Sequence, residues 1–535
     1  MKGGLTGEDN VTWTKDGIAP VFGVNHTVLN NNNAKAKEAA GTDDSNIQKI
    51  SLRQILCLLG VILVFLLSIT GTVIMWGTNM IEDIVDQRLV LRNGSDTFQK
   101  WINPPVHSIR KFWLFNYTNV EAFELGKEPK LKVEEVGPYV FREKMTRVNA
   151  VFNDNGTVTY QARRLYEFLP ERSGGSLDDM IVFTNIPLMT MHHQAYQLNY
   201  FQRLGASAGL KMVGAQPFFK KTAKDFFFGY RDTLITLAEF QVPDVKVGFL
   251  QEKNGTFPEK YTMYTGETDV NLMGIISRYN GMEYMDYYND EECNRVDGSD
   301  GSKFPPSSIY PGSTIYVYDR DACRRIPFIY NESVTVWDGI PVLRYMPPDN
   351  VFDNGFDNPD NMCFCEDSCQ LSGVSGISHC KRGAPLFVSL PHFYKADPLL
   401  LEAVEGLNPD PEKHQLYLDI HQRIGTPLAV KIRIQVNILV TNGLMQTINS
   451  KLEGEIIPIV WIEREMDTYP DDVKDIIYMI TFTLPVVKTA LSYIFPLLIA
   501  ITGIVLLICA YIEIAALLRK DPPSRAASET VITRL

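Results

Sequence analysis

Three cysteines fall within seven residues in CFCEDSC, Cys363 to Cys369. Thiols at that density do one of two things: as thiolates they hold a metal, or they oxidise in pairs. Cysteine zinc sites favour paired C-x-x-C spacings, whereas this run is C-x-C-x3-C, and Cys380 follows after ten further residues. Disulfides need an oxidising compartment, so the reading turns on where the stretch lies. Other reactive residue types lack the partners that would make them work. GVSGI, from Gly373, has Ile377 where the second glycine of a G-x-S-x-G nucleophile elbow belongs. GSDGSK, from Gly298, is too short for a phosphate loop, and H-E-x-x-H is absent. His192 and His193 are adjacent, which on a helix points them in different directions and makes a poor metal pair. We therefore expect no catalytic residues, no metal, no cofactor and no enzyme.

A second cluster is suited to binding. Leu177 to Phe240 has long apolar stretches of helical character, with Lys211, Lys220, Lys221 and Lys224 set among Phe218, Phe219, Phe226, Phe227 and Phe228. Most of these rings read as core. Lysines at the edge of an apolar helical cluster suit a ligand that is anionic at one end and apolar at the other. The expected contacts are Lys211, Lys220, Lys221, Lys224, Phe218 and Phe219.

Two charge-free apolar runs must anchor these residues, within 54–79 and 489–512. A helix needs about 20 apolar residues to cross the hydrocarbon core, and both runs suffice. Lys49 and Arg53 precede the first, Arg519 and Lys520 follow the second, and Glu82, Asp83 and Asp86 lie beyond the first. The positive-inside rule then puts both tails, 1–53 and 513–535, in the cytoplasm and residues 80–488 outside or in a lumen. Of the eight cysteines, Cys57 and Cys509 fall in the spans, and the other six, Cys293, Cys323, Cys363, Cys365, Cys369 and Cys380, all fall in the exterior segment. An even exterior set reads as three disulfides, with the pairing open. Sequons at Asn93, Asn116, Asn155, Asn254 and Asn331 share that segment, while those at Asn10 and Asn25 fall in the tail and should be silent.

The exterior segment reads as mainly β with inserted helices. AVKIRIQVNILV, Ala429 to Val440, alternates apolar with Lys431, Arg433, Gln435 and Asn437, one face dry and one wet. STIYVYDRD, from Ser313, is another strand, and Asn155-Gly156 between alternating segments signals a hairpin. Residues 1–53, with NNNAKAKEAAGTDD, have no apolar period and read as a disordered tail. The C-terminus has Thr533 two residues before Leu535, the pattern a PDZ groove accepts by strand addition. A net charge of −12 without a basic domain argues against nucleic acid.

Several blocks together resemble the class B scavenger receptors, the family of the fatty acid translocase, the high-density-lipoprotein scavenger receptor and the lysosomal integral membrane protein. They are EEVGPYVFRE from Glu134, FGYRDTLITL, FCEDSC, CKRGAPLFVSLPHFYKADP and PEKHQLYLDIHQRIGTPL, in the family's order. The chain looks most like an insect-type member. The resemblance implies an α+β fold: an irregular antiparallel β-barrel ectodomain with an apical helical bundle at 177–240, a disulfide-rich region at 293–380 and an internal hydrophobic tunnel. It implies the pairs Cys293–Cys363, Cys323–Cys380 and Cys365–Cys369, and acylation at Cys57 and Cys509. Its ligands would be fatty acids, sterols, carotenoids, phospholipids and lipoprotein particles, and its setting the plasma membrane, with endosomes or lysosomes as an alternative. One family lysine position falls on Met212, beside Lys211, and the N-terminal tail is longer than the family's. Two other functions fit the topology: a sorting receptor for a protein ligand, which needs no open tunnel, and a two-span ligand-gated channel, for which Ser68, Thr70, Thr72, Ser492 and Thr502 offer little polar lining.

Overall fold

The computed structural model describes residues 52–230, 234, 247–337, 339–365, 369–444 and 448–520. The tail sequons Asn10 and Asn25, and the C-terminal Thr533 and Leu535, lie outside the described residues. The chain divides at Val61. Residues 52–61 form the leading turns of the helix Leu52–Gly77, and the elements described below belong to the unit Ile62–Leu535.

Two helices are long and apolar enough to cross a membrane, Leu52–Gly77 and a continuous run Asp471–Arg519. The second extends well beyond the apolar segment read from sequence, because hydrogen bonding continues upstream through a π-helical turn, Met479–Thr483, into the short helix Asp471–Tyr478. The spans touch at Trp76 and Gly71. The Trp76 indole donates to the Ser492 carbonyl at 2.9 Å, and a Cβ on Gly71 would come within 2.8 Å of the Phe495 ring. Below the exterior mass, Lys488 pairs with Glu82 and Arg423 with Asp86.

Between the spans lies a 14-stranded sheet. Its main path runs Ile276–Tyr279, Gly255–Tyr264, Thr157–Phe168, Leu131–Asn153, Ser108–Tyr117, Ile456–Met466, Thr426–Leu439, Tyr417–His421, Ile340–Met346, Arg324–Val336 and Thr314–Asp319, each antiparallel to the next. The ends of this path nearly meet. Ser299 bridges Ile275 on one side and Val317 on the other; its amide donates to Tyr316 O and its carbonyl accepts from Tyr318 N, both at 2.9 Å. A nearly closed barrel results, which leaves little free edge. The expected hairpin forms between Asn153 and Thr157, with Gly156 at φ +73°, the left-handed position that three-residue hairpin loops fill with glycine.

The strand Thr426–Leu439 starts before the expected Ala429–Val440, stops one residue short of its end and keeps its two-residue period, but its second face is not wet. Lys431 and Arg433 are half-buried and engage Glu463, at 3.2 and 2.7 Å. Gln435 and Asn437 are fully buried. The short strand Leu386–Ser389 pairs along this half, Gln435 Oε1 accepts from the His392 amide at 2.7 Å, and Asn437 Nδ2 donates to Ser389 Oγ at 2.9 Å. Leu386–Ser389 lies in the same sheet, and the turn that follows it, Pro391–Phe393, reaches over the side that periodicity alone reads as solvent-facing.

Candidate functional site

The barrel encloses a cavity of about 440 Å³. Its apolar wall is laid down by alternate residues of neighbouring strands: Val430, Ile432 and Ile434, with Leu418, Phe328 and Met466. At one end it is walled by Val473, Ile476, Ile477 and Ile480, from the segment that continues into the second span. The apolar face read at Val430, Ile432 and Ile434 is therefore cavity lining.

The adjoining wall is charged: Arg464 is the cross-strand partner of Ile432, and Arg110 that of Arg464. Glu143, buried, accepts from Arg110 Nε at 2.8 Å, and Arg164 Nε lies 3.1 Å from its other oxygen. Arg464, nearby, donates to Ser108 Oγ at 3.2 Å. Burial alone would raise the Glu143 pKa; the charges of Arg110, Arg164 and Arg464 outweigh it and hold the carboxyl well below the usual range. Burial first, then the charge of Arg110, lowers Arg464 to about 10. Three guanidiniums thus share one carboxylate, a cationic surplus inside an apolar space. Farther along, Arg147 pairs with Asp300 at 2.7 Å, and burial lowers Lys303 to about 8 while its Nζ donates to Leu89 O at 2.6 Å.

The described part of Leu177–Phe240 holds the helices Ile186–Gln194, Tyr200–Met212 and Ala223–Phe228 and a small sheet pairing Met180–Thr184 with Phe218–Thr222. The structure brings Lys220, Lys221 and Lys224 together on the strand Phe218–Thr222 and the helix start that follows it. Lys220 and Lys224 are exposed; Lys221 lies 5.5 Å over the Tyr230 ring. Phe218 is buried against Tyr117 at 4.9 Å, and half-buried Phe219 packs on Phe183 at 4.8 Å. Their rings serve the core. Lys211 sits apart, exposed near the end of Tyr200–Met212.

The exposed apolar groups of this region are ones the sequence reading passed over. Phe201 is 80% exposed and Met212 88%, with Tyr200 and Leu204 beside them. Phe201, Leu204, Ala208 and Met212 follow the three- and four-residue spacing of one helix face, while Ser207 and Leu210 are buried on the other. That spacing is the signal present in the sequence.

The exterior cysteines are brought together as Cys293–Cys363, Cys323–Cys380 and Cys365–Cys369, with Cα separations of 6.3, 6.1 and 4.5 Å. Cys57 and Cys509 are exposed thiols on the two span helices. Asn93, Asn155, Asn254 and Asn331 are exposed; Asn116 is half-buried, and its Oδ1 accepts the Val182 amide at 2.9 Å. His192 is buried with both ring nitrogens unpartnered, and burial lowers it to about 4, a neutral packed ring. Among the described residues no cluster of histidine, cysteine or carboxylate side chains is arranged to hold a metal.

Comparison with known proteins agrees with this architecture. A sequence profile of the CD36 family matches residues 59–512. The chain is 34% identical to scavenger receptor class B member 1 of Rattus norvegicus over 397 residues, covering 72% of this chain and 76% of the rat protein. It is 31% identical to lysosome membrane protein 2 of Homo sapiens over 429 residues, 79% of this chain and 88% of the human protein. With its two membrane-spanning helices, its nearly closed antiparallel barrel and a family match across most of its length, the chain belongs to the CD36 family.

Proposed function

We propose that the chain is a receptor for lipids or lipoproteins that passes apolar cargo through the barrel to the bilayer. The observation that carries this reading is the cavity. It is large, mostly apolar, and walled at one end by residues on the same continuous helix that becomes the second span. Cargo leaving there exchanges one apolar surface for another, so no input of energy beyond the lipid gradient is needed. The exposed face of Tyr200–Met212, with Lys211 beside it, suits the surface of a lipid particle, which an amphipathic helix enters with its apolar side. The route asks for no catalytic step, and the setting is a plasma or lysosomal membrane.

The test is to narrow the cavity without touching that face. Ile434→Trp fills the apolar wall. Cells carrying it should acquire lipid tracer from bound particles several-fold more slowly while binding the particles as well as the unaltered protein does. Undiminished tracer uptake would overturn passage through the barrel. It would favour the second reading, a sorting receptor for a protein ligand, which uses the exposed helix face alone.

A further inference from the structure

Outside the cavity, Arg324 is a buried cation that no carboxylate among the described residues neutralises. Arg324 is 4% exposed, at the start of the strand Arg324–Val336. Its guanidinium stacks 3.6 Å over the Phe364 ring, and Nη2 donates to Asn361 Oδ1 at 2.9 Å. Nε and Nη1 are buried and have no partner. Among the described residues it makes no ion pair. Arg324 lines a small pocket of about 90 Å³, separate from the barrel cavity. The same pocket is lined by Ser375, whose hydroxyl is buried and unpartnered, and by His193, whose Nδ1 is likewise. Asp353 lines it too, but forms no ion pair with Arg324.

A buried guanidinium without a counter-charge is destabilising, since its hydration is lost and nothing replaces it. Water filling the pocket would satisfy hydrogen bonds but supply no charge. The rest of the lining mixes the apolar Val374, Pro385, Phe387 and Leu439 with the amides of Asn354 and Gln370 and the carboxylate of Asp353. A phosphate or sulfate would set its higher charge against Asp353 and some of its oxygens against the apolar side chains, whereas a halide brings one charge and has no directional acceptors to leave unmet. We propose that this pocket binds a single chloride-class anion, held by Arg324 Nε and Nη1 and the Ser375 hydroxyl. The ion would tie together three segments: the strand at Arg324, the loop leading to Cys363 and Cys365, and the helix Ile186–Gln194 through His193. The inference is independent of the lipid reading.

The test uses the full chain in lipid nanodiscs. Thermal unfolding is followed in sodium chloride, sodium bromide and sodium gluconate at equal ionic strength. Both halides should raise the midpoint over gluconate by about 2–4 °C, saturably, as ligand linkage requires. Arg324→Gln should abolish the difference. Equal midpoints in chloride and gluconate would overturn the proposal, as would a halide effect that survives in Arg324→Gln, since the ion would then bind elsewhere. Should that variant not fold, anomalous scattering from bromide in crystals of the unaltered protein decides. A peak beside Arg324 and Ser375 supports the site, and a pocket without one refutes it.

Discussion

Glu143 is the residue on which the cavity's charge balance turns. It pairs with Arg110 and Arg164, and their charges together with that of Arg464 hold it ionised. Removing one partner of a buried ionic cluster commonly costs about 3–5 kcal/mol, because the remaining charges are left uncompensated. Glu143→Gln should therefore lower the unfolding midpoint markedly, whereas Glu167→Gln, at an exposed pair with Lys144, should scarcely change it. Asn116 makes a second residue-scale prediction. Its side chain holds the Val182 amide in the folded protein, so folding competes with glycan attachment; glycopeptide mapping should find lower occupancy there than at Asn93, Asn155, Asn254 and Asn331. At this scale the sequence was readable where chemistry depends on compartment. The exterior position of six cysteines followed from the spans. Their partners did not, because pairing depends on where the barrel brings distant segments together. Glu143 was equally hidden: nothing in EEVGPYVFRE marks its last glutamate as facing three arginines from other strands.

Elements were legible by period and less so by environment. The strand at Val430 was correctly placed, and its apolar face lines a cavity. Its polar face was misread at Gln435 and Asn437, since alternation says which residues share a side and not what covers that side. The helix Tyr200–Met212 shows the converse. Its exposed face carries Phe201 and Met212, which a hydrophobicity reading assigns to the interior. If that face meets lipid particles, Phe201→Asp combined with Met212→Asp should reduce particle binding severely and leave the unfolding midpoint unchanged, because neither side chain contributes to the core. A fall in stability that matches the fall in binding would show the face to be structural instead.

At the scale of the whole molecule, buried histidines set how the fold responds to acid. Burial lowers His192, His414 and His421 each to about 4 from an ordinary value of 6.5. Unfolding frees them to take up protons below pH 6.5, so the stability they contribute is complete above that pH and is lost as pH falls toward 4. The unfolding midpoint should decline across that window, and His192→Leu, which removes a ring with no hydrogen-bond partner, should make the decline shallower. An unchanged slope in the variant would remove His192 from the account. The barrel as a whole was less evident from sequence than its strands, because its strand order joins residues hundreds of positions apart, as Ser108–Tyr117 joins Ile456–Met466.

The contact at Ser299 gives that barrel the character of a hoop fastened by one clasp. Neighbouring strands elsewhere on the main path are paired along three residues or more, and Leu131–Asn153 to Thr157–Phe168 along many, while the ends of the path are joined through a single residue flanked by a few amide bonds. A hoop keeps its gauge until its fastener yields. On the proposed route, slender acyl chains would thread such a ring at fixed girth, whereas a broad, rigid passenger would spring the clasp first. The amides of Ser299 and Tyr318 should accordingly exchange hydrogen faster than that of Ile434, and a bulky cargo should widen the gap.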